Sequence, residues 1–149
     1  MASELIETTV DKFVFRVKRG CWYSPVGVWV QPEGSVARLG LSDFLQQRSG
    51  DIAFVNVRPI GTVITVGDEF ASLETMKVDL ALDSPVRGAI AEVNEALKER
   101  PELVNQDPYG DGWLALVELR NWEGDRQALL DAAQYLEAIR AQALEEMGG

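Results

Sequence analysis

The sequence contains no histidine and only one cysteine, Cys21, among its 149 residues. Without an imidazole the chain cannot build a Ser-His-Asp or Cys-His nucleophile, a histidine general base or a histidine-ligated zinc site. A single thiol cannot form an internal disulfide or a cysteine-built metal site. These absences argue against a conventional enzyme, and we predict neither catalytic residues nor a bound metal ion.

Basic residues and long apolar runs are also scarce. The 24 acidic and 14 basic side chains give a formal net charge of −10, so electrostatic repulsion disfavours nucleic acids and anionic membrane surfaces. The chain has no run of 18 apolar residues, and residues 1–9 lack the basic segment and apolar core of a secretion signal. We therefore expect a cytoplasmic, monomeric protein without nucleic-acid or membrane partners.

The residues that are present predict a mainly β protein with flanking helices. Short β-prone segments between Gly and Pro turns indicate a small sandwich or flattened barrel over about residues 13–120, with its first strand at Phe13 after a frayed start. Beyond Gly124, apolar residues recur at helical spacing, which predicts an amphipathic helix over about residues 125–147. A chain of this length can bury about two thirds of its unfolded surface, and we expect one domain over residues 1–149.

The stretch from Gly67 to Gly88 carries the most informative pattern. Read as a hairpin that turns at Met76 and Lys77, it has one apolar face, formed by Ala71, Leu73, Thr75, Val78, Leu80 and Leu82. The other face is mostly acidic and consists of Glu69, Ser72, Glu74, Asp79, Ala81 and Asp83. Lys77 is left at the tip, where a modifying ligase could recognise it or where it could simply keep the turn soluble. An unmodified β-rich adaptor is therefore an open alternative.

Several segments resemble the H proteins of the glycine cleavage system, which are lipoyl-carrying relatives of lipoyl and biotinyl domains. They are Gly50–Val55, similar to the family's Gly-Asp-Ile-x-Phe-Val, then Val93–Leu97, Pro101–Asn105 and Asp107–Leu114. Glu74 and Pro85 stand three residues before and eight residues after Lys77, as in the family's lipoylation hairpin. The resemblance implies a barrel-sandwich hybrid with a C-terminal amphipathic helix. It also implies a non-catalytic carrier with lipoic acid attached to Lys77.

The same resemblance gives roles to the neighbours of Lys77. Glu74, Met76 and Val78 would flank the lysine as recognition residues for lipoate ligase or lipoyl-assembly enzymes. The Met76-Lys77 pair also resembles the biotinyl Met-Lys signature, so a biotinyl carrier is a further alternative. The run from Asn94 to Trp113, which biotinyl domains lack, favours lipoate. The dithiolane would then carry a substrate-derived group through sulfur between partner enzymes.

One departure from the family bears on the pathway. H proteins place a His-Glu pair immediately before the tryptophan that aligns with Trp29, whereas this chain has Gly27 and Val28 there. In this respect it is more similar to the lipoate-binding proteins of heterodisulfide-reductase-like sulfur oxidation. We favour that pathway from the sequence, with a heterodisulfide-reductase-like complex as partner. The alternative is carriage of the aminomethyl group of glycine cleavage among glycine decarboxylase, aminomethyltransferase and dihydrolipoyl dehydrogenase.

Cys21 has two interpretations. Lys18 and Arg19 are near in sequence and could lower the pKa of its thiol, which would make Cys21 an accessory thiol able to exchange with the lipoyl arm or its cargo. A lone cysteine among Trp and Val is also the usual pattern of a buried packing residue.

Overall fold

The computed structural model describes residues 4–148, so the ends of the predicted domain, residues 1–3 and 149, lie outside it. Its eleven strands are β1 (Leu5–Val10), β2 (Phe13–Lys18), β3 (Trp22–Tyr23), β4 (Val28–Glu33), β5 (Val36–Leu41), β6 (Ile52–Val57), β7 (Val63–Ile64), β8 (Glu69–Thr75), β9 (Asp79–Asp83), β10 (Gly88–Val93) and β11 (Ala115–Leu119). The α-helices of the same range are α1 (Asp43–Ser49), α2 (Leu103–Gln106), α3 (Trp122–Arg126) and α4 (Ala132–Gly148), and a 3₁₀ turn covers Glu95–Lys98. No helix in this part of the chain is long and apolar enough to cross a membrane.

The strands of the described residues form three antiparallel sheets. The largest has six strands in the order β3-β4-β5-β11-β10-β7, a second has the order β6-β8-β9, and β1 and β2 form a separate hairpin. The first two sheets contribute side chains to one core, which includes Val28, Val30, Leu39, Leu41, Phe70, Leu73 and Leu82. This arrangement agrees with the predicted mainly β fold, and it leaves the β8–β9 connection at the end of the smaller sheet.

A second core lies between the β1–β2 hairpin, α1 and α4. It contains Phe15, Phe44, Ile139 and the stacked rings of Tyr23 and Tyr135, whose centroids are 4.4 Å apart. Buried phenol hydroxyls need partners, because an unpaired buried polar group costs about 1–3 kcal/mol. The Tyr23 hydroxyl donates to the Lys18 carbonyl at 2.7 Å, and the Tyr135 hydroxyl lies 2.7 Å from Ser42 Oγ.

The predicted start of the β structure at Phe13 is wrong. Leu5–Val10 already forms β1 and pairs with β2, with Ile6 opposite Val17. Ile6 and Val10 of β1 pack against the second core, and this contact holds the strand in place. The sequence conceals the strand because its intervening residues are Glu and Thr, which give little apolar signal.

The predicted helix from residue 125 is divided in two. The short helix α3 ends at Arg126, and α4 begins at Ala132. Between them the chain turns back to β3, where the Tyr23 N–H donates to the Leu130 carbonyl at 2.8 Å and the Leu130 N–H donates to the Tyr23 carbonyl at 2.9 Å. These two bonds hold Leu130 out of helical backbone geometry. The apolar spacing could not reveal them, because they depend on a distant strand.

Burial of the tyrosines predicts a loss of stability in alkali. Burial raises the pKa of Tyr135 from 10.0 to about 12, and it also raises the pKa values of Tyr23 and Tyr109. The unfolded chain would ionise these phenols from about pH 10, whereas the folded chain keeps them protonated, so the folded state binds more protons above that pH. We expect the free energy of unfolding, measured by urea denaturation, to fall between pH 10 and 12 by up to about 1.4 kcal/mol per pH unit and per phenol.

The variant Tyr135→Phe separates this effect from general alkaline damage. It should be less stable at pH 7, because the buried hydrogen bond between Ser42 Oγ and the Tyr135 hydroxyl is lost, yet its stability should fall less steeply than that of the unaltered chain above pH 10. If the free energy of unfolding falls equally steeply with pH in the two proteins, Tyr135 does not contribute to the loss of stability in alkali.

Candidate functional site

The β8–β9 hairpin has the register that the alternation predicts. Ala71 pairs with Leu82 and Leu73 pairs with Leu80. Ala71, Leu73 and Leu82 are buried, as predicted for this face. The burial does not continue to the end of the hairpin, because Val78 is 48% exposed. The hairpin therefore has a buried base and a tip that extends beyond the core.

Thr75 holds that tip together. Its Oγ1 accepts hydrogen bonds from the backbone N–H groups of Lys77 (3.1 Å) and Val78 (3.0 Å) and donates to the Val78 carbonyl (3.0 Å). The Thr75 N–H also donates to the Val78 carbonyl at 2.9 Å. Neither Met76 nor Lys77 has a positive φ, so the turn does not use the backbone geometry of Asn-Gly hairpins. The threonine hydroxyl supplies the closure instead.

The Lys77 side chain is exposed at this tip. None of the ion pairs found within residues 4–148 includes its amine. Its stem runs beside Gly50, where an added Cβ would lie 3.9 Å from both Cδ and Cε of Lys77. The tip therefore presents an accessible amine on a supported stem.

The predicted recognition residues surround this amine. Glu74, Met76 and Val78 are all exposed, and Met76 is the most exposed of them, at 90%. Glu74 pairs across the hairpin with Asp79, which is also exposed. A protein that approaches Lys77 would meet an apolar tip with carboxylates next to it.

Asn105 is a residue whose role the sequence did not reveal. Its Nδ2 donates to the Gly50 carbonyl at 2.9 Å and to Gln46 Oε1 at 3.0 Å, and its Oδ1 accepts from the Ile52 N–H at 2.9 Å. These bonds fix the link between α1 and β6, and β6 in turn pairs with β8 of the hairpin. Asn105 lies in one of the family-like segments, but its partners are more than fifty residues away, so spacing alone could not predict them.

The space that a side chain at position 27 would need, where the family has its His-Glu pair, is occupied by other residues of this chain. Gly27 has a φ of +106°, and a Cβ there would lie 2.9 Å from the Tyr135 hydroxyl oxygen and 3.1 Å from Ser42 Oγ. Val28, the next residue, is fully buried. A histidine at position 27 would collide with α4, so the packing of this chain accounts for the glycine.

The predicted accessory role of Cys21 finds no support in the structure. The residue is only 2% exposed and belongs to the second core. Burial raises the pKa of its thiol to about 11, although Lys18 acts in the lowering direction that the sequence predicts. The expectation of a lowered pKa is therefore wrong, and the interpretation of Cys21 as a buried packing residue is correct.

Comparisons with known proteins agree on one family. The family model described as "Glycine cleavage H-protein" matches residues 22–142. The glycine cleavage system H protein of Thermus thermophilus is 39% identical over 122 residues, which cover 82% of this chain and 94% of the relative. That of Coprothermobacter proteolyticus is 42% identical over 125 residues, 83% of this chain and 98% of the relative.

A solved structure shows the same fold. The crystal structure of a glycine cleavage system H protein from Mycobacterium marinum superposes with a TM-score of 0.73 at 27% identity, covering 81% of this chain and 97% of that protein. The predicted fold class, a barrel-sandwich hybrid with a C-terminal helix, is confirmed.

The hydrogen bonds of Thr75 predict how the tip responds to a loss of the hydroxyl. In Thr75→Val the N–H groups of Lys77 and Val78 lose their acceptor, and their hydrogen exchange should rise about two- to tenfold. Thr75→Ser is the matched control, because it keeps the hydroxyl and should leave both exchange rates nearly unchanged. Equal rates in the valine and serine variants would mean that the turn closes without this hydroxyl.

Proposed function

The chain belongs to the glycine cleavage H-protein family, and from this membership we propose that Lys77 is its lipoyl-lysine and that it carries the aminomethyl group between the enzymes of glycine cleavage. Proteins of this family are non-catalytic carriers with a lipoate attached covalently to a lysine. The observation that carries the assignment to Lys77 is the exposed position of its side chain at the tip of the anchored β8–β9 hairpin.

The residues present fit an amide-linked lipoate. The amine of Lys77 is accessible, and acylation would break none of the ion pairs found among the described residues 4–148. Lipoate supplies the sulfur atoms that accept and release the transported group when it is attached. The protein supplies a fixed point of attachment, because Thr75 closes the turn and the buried Leu73 and Leu82 hold its strands. A long arm on a fixed point keeps its end at high effective concentration for a docked enzyme.

The comparisons favour glycine cleavage over sulfur oxidation. The matched family and the relatives bear the glycine cleavage name and cover most of the chain, whereas nothing supports a heterodisulfide-reductase-like partner. Gly27, the first residue of the Gly27-Val28 pair that favoured sulfur oxidation in the sequence, has a structural cause in the packing of Tyr135. We therefore propose glycine decarboxylase, aminomethyltransferase and dihydrolipoyl dehydrogenase as the partners.

The first test locates the modification. After incubation with lipoate ligase, ATP and lipoate, intact mass and peptide mapping should give one lipoyl group per chain, on Lys77. The variant Lys77→Arg should remain unmodified, because arginine keeps the charge but lacks the primary amine that the ligase acylates. Biotin ligase with biotin should give no adduct on either protein.

Lys12→Arg is the matched control for this test. Lys12 also lies at a hairpin tip, between β1 and β2, and it is exposed. It lacks the Glu74-Thr75-Met76 context of Lys77, so the variant should be lipoylated as fully as the unaltered chain. Modification that disappears in Lys12→Arg and persists in Lys77→Arg would reverse the assignment. An absence of any adduct would support the adaptor alternative.

The second test addresses the pathway. The lipoylated protein should support the exchange of labelled carbon dioxide into glycine by glycine decarboxylase, whereas the unmodified protein and Lys77→Arg should give only the rate without carrier. The rate should saturate with carrier concentration, as expected for a docked protein substrate. A fully lipoylated protein that gives no exchange above this background would contradict the proposed pathway and leave the lipoyl assignment intact.

A further inference from the structure

A cleft of about 510 Å³ lies between the β1–β2 hairpin and the segment around the end of α2. Arg16 and Lys18 of β2 line one side, residues 105–110 line the other, and Asp43 of α1 contributes to both. The volume lies in the usual range of small-molecule sites. Lys77 is not part of this lining, so the cleft is separate from the point of attachment at the β8–β9 tip.

Hydrogen bonds hold the two sides of the cleft together. The Arg16 N–H donates to Asp43 Oδ2 at 2.9 Å, and the Arg16 carbonyl accepts from the Tyr109 hydroxyl at 2.7 Å. The same hydroxyl accepts from the Asp43 N–H at 3.2 Å. The backbone of β2 is therefore joined both to α1 and to the segment 105–110. A small molecule that enters the cleft meets walls that are already ordered, which favours binding.

The hairpin side of the cleft offers positive charge. None of the ion pairs found within residues 4–148 includes the Lys18 amine. Arg16 pairs with Glu7, but both side chains are more than half exposed and their closest atoms are 3.5 Å apart, so a ligand can compete for the guanidinium. Both cations belong to β2, which precedes the matched residues 22–142. A relative that consists of the matched region alone would lack this side of the cleft.

The remainder of the lining offers negative charge. Asp107 Oδ2 accepts from the Asp111 N–H at 2.8 Å, and no hydrogen bond found within the described residues uses its Oδ1. Glu4 also lines the cleft, is exposed, and takes part in none of the ion pairs of the same range. The Asp43 carboxylate, in contrast, already accepts from the Arg16 N–H and from two glutamine side chains. Asp107 and Glu4 are therefore the carboxylates that can bind a cationic group.

This distribution of charge selects the class of ligand. A simple anion would be repelled by the carboxylates of the lining, and a simple cation would be repelled by Arg16 and Lys18. We infer that the cleft binds a free amino acid, whose carboxylate contacts Lys18 and Arg16 and whose ammonium group contacts Asp107 and Glu4. The inference does not rest on the function proposed above. Because Lys77 lies outside the cleft, the carrier can bind the amino acid while its tip is engaged elsewhere.

The first experiment tests the charge requirement by amide NMR titration of the unmodified protein with three probes of similar size. At neutral pH, L-alanine carries both charges, N-acetyl-L-alanine carries only the carboxylate and L-alaninamide carries only the ammonium group. L-Alanine should give saturable chemical-shift changes in residues 16–18 and 105–110. Each analogue should bind at least about tenfold more weakly, because it loses one charge-assisted contact. No saturable change in these residues, or equal affinity for an analogue, would overturn the proposal.

The second experiment identifies the cation. Lys18→Gln removes the charge but keeps the backbone bonds of Lys18 to the Tyr23 hydroxyl, and it should weaken the binding of L-alanine about tenfold. Lys12→Gln is the matched control, because Lys12 lies in the same hairpin, is exposed and does not line the cleft. Both variants change the net charge equally, so only the position of the charge differs. Equal affinity in the two variants would overturn the proposal.

The third experiment identifies the partner of the ammonium group. Asp107→Asn removes the charge but keeps an oxygen that can accept from the Asp111 N–H. It should weaken the binding of L-alanine about tenfold and leave that of N-acetyl-L-alanine no weaker than before, because the acetylated probe has no ammonium group. Amide spectra of all variants without ligand establish beforehand that each is folded. An equal loss of affinity for both probes would overturn the assignment of Asp107.

Discussion

The burial of alternate residues in the β8–β9 hairpin determines where the exposed lysine lies. Ala71, Leu73 and Leu82 face the main core, and a slip of one residue in either strand would turn that strand's apolar side chains toward solvent. The core therefore selects the register, and the register selects the two residues at the turn. Lys77 stands at the tip because of contacts made several residues away.

Hydrogen bonds then fix the position of the turn that bears the Lys77 amine. Thr75 closes a turn whose central residues have no special tendency to turn, and Asn105 secures the segment around Gly50 that supports the Lys77 stem. A carrier needs this combination of a rigid base and a free end, because the transported group must reach several enzymes from one attachment point. Such a role needs no imidazole, so the lack of histidine is compatible with the family.

How much of this could be predicted depended on whether the deciding contacts were local. The hairpin register follows from a short-range pattern and was predicted correctly. The cap of α1 is equally local, because the Ser42 side chain accepts from the Leu45 N–H. The β1 strand and the break at Leu130 depend on pairing with distant segments, and both were missed. For Cys21, the sequence left two interpretations open, a thiol with a lowered pKa and a buried packing residue. The structure decides between them, because burial has a larger effect on the pKa than the nearby positive charge.

The β1–β2 hairpin and the absence of the family's histidine belong to one packing arrangement. Lys18 of β2 is bonded through its backbone to the Tyr23 hydroxyl, and the Tyr23 ring stacks on Tyr135. Tyr135 in turn places its hydroxyl where a side chain at position 27 would stand, so that only glycine fits. Continuous contacts thus connect an element outside the family match to the position where the family's histidine is missing. The same hairpin contributes Val10, Phe13 and Phe15 to a groove beside Lys77, so it takes part both in the packing behind position 27 and in the surroundings of the exposed lysine.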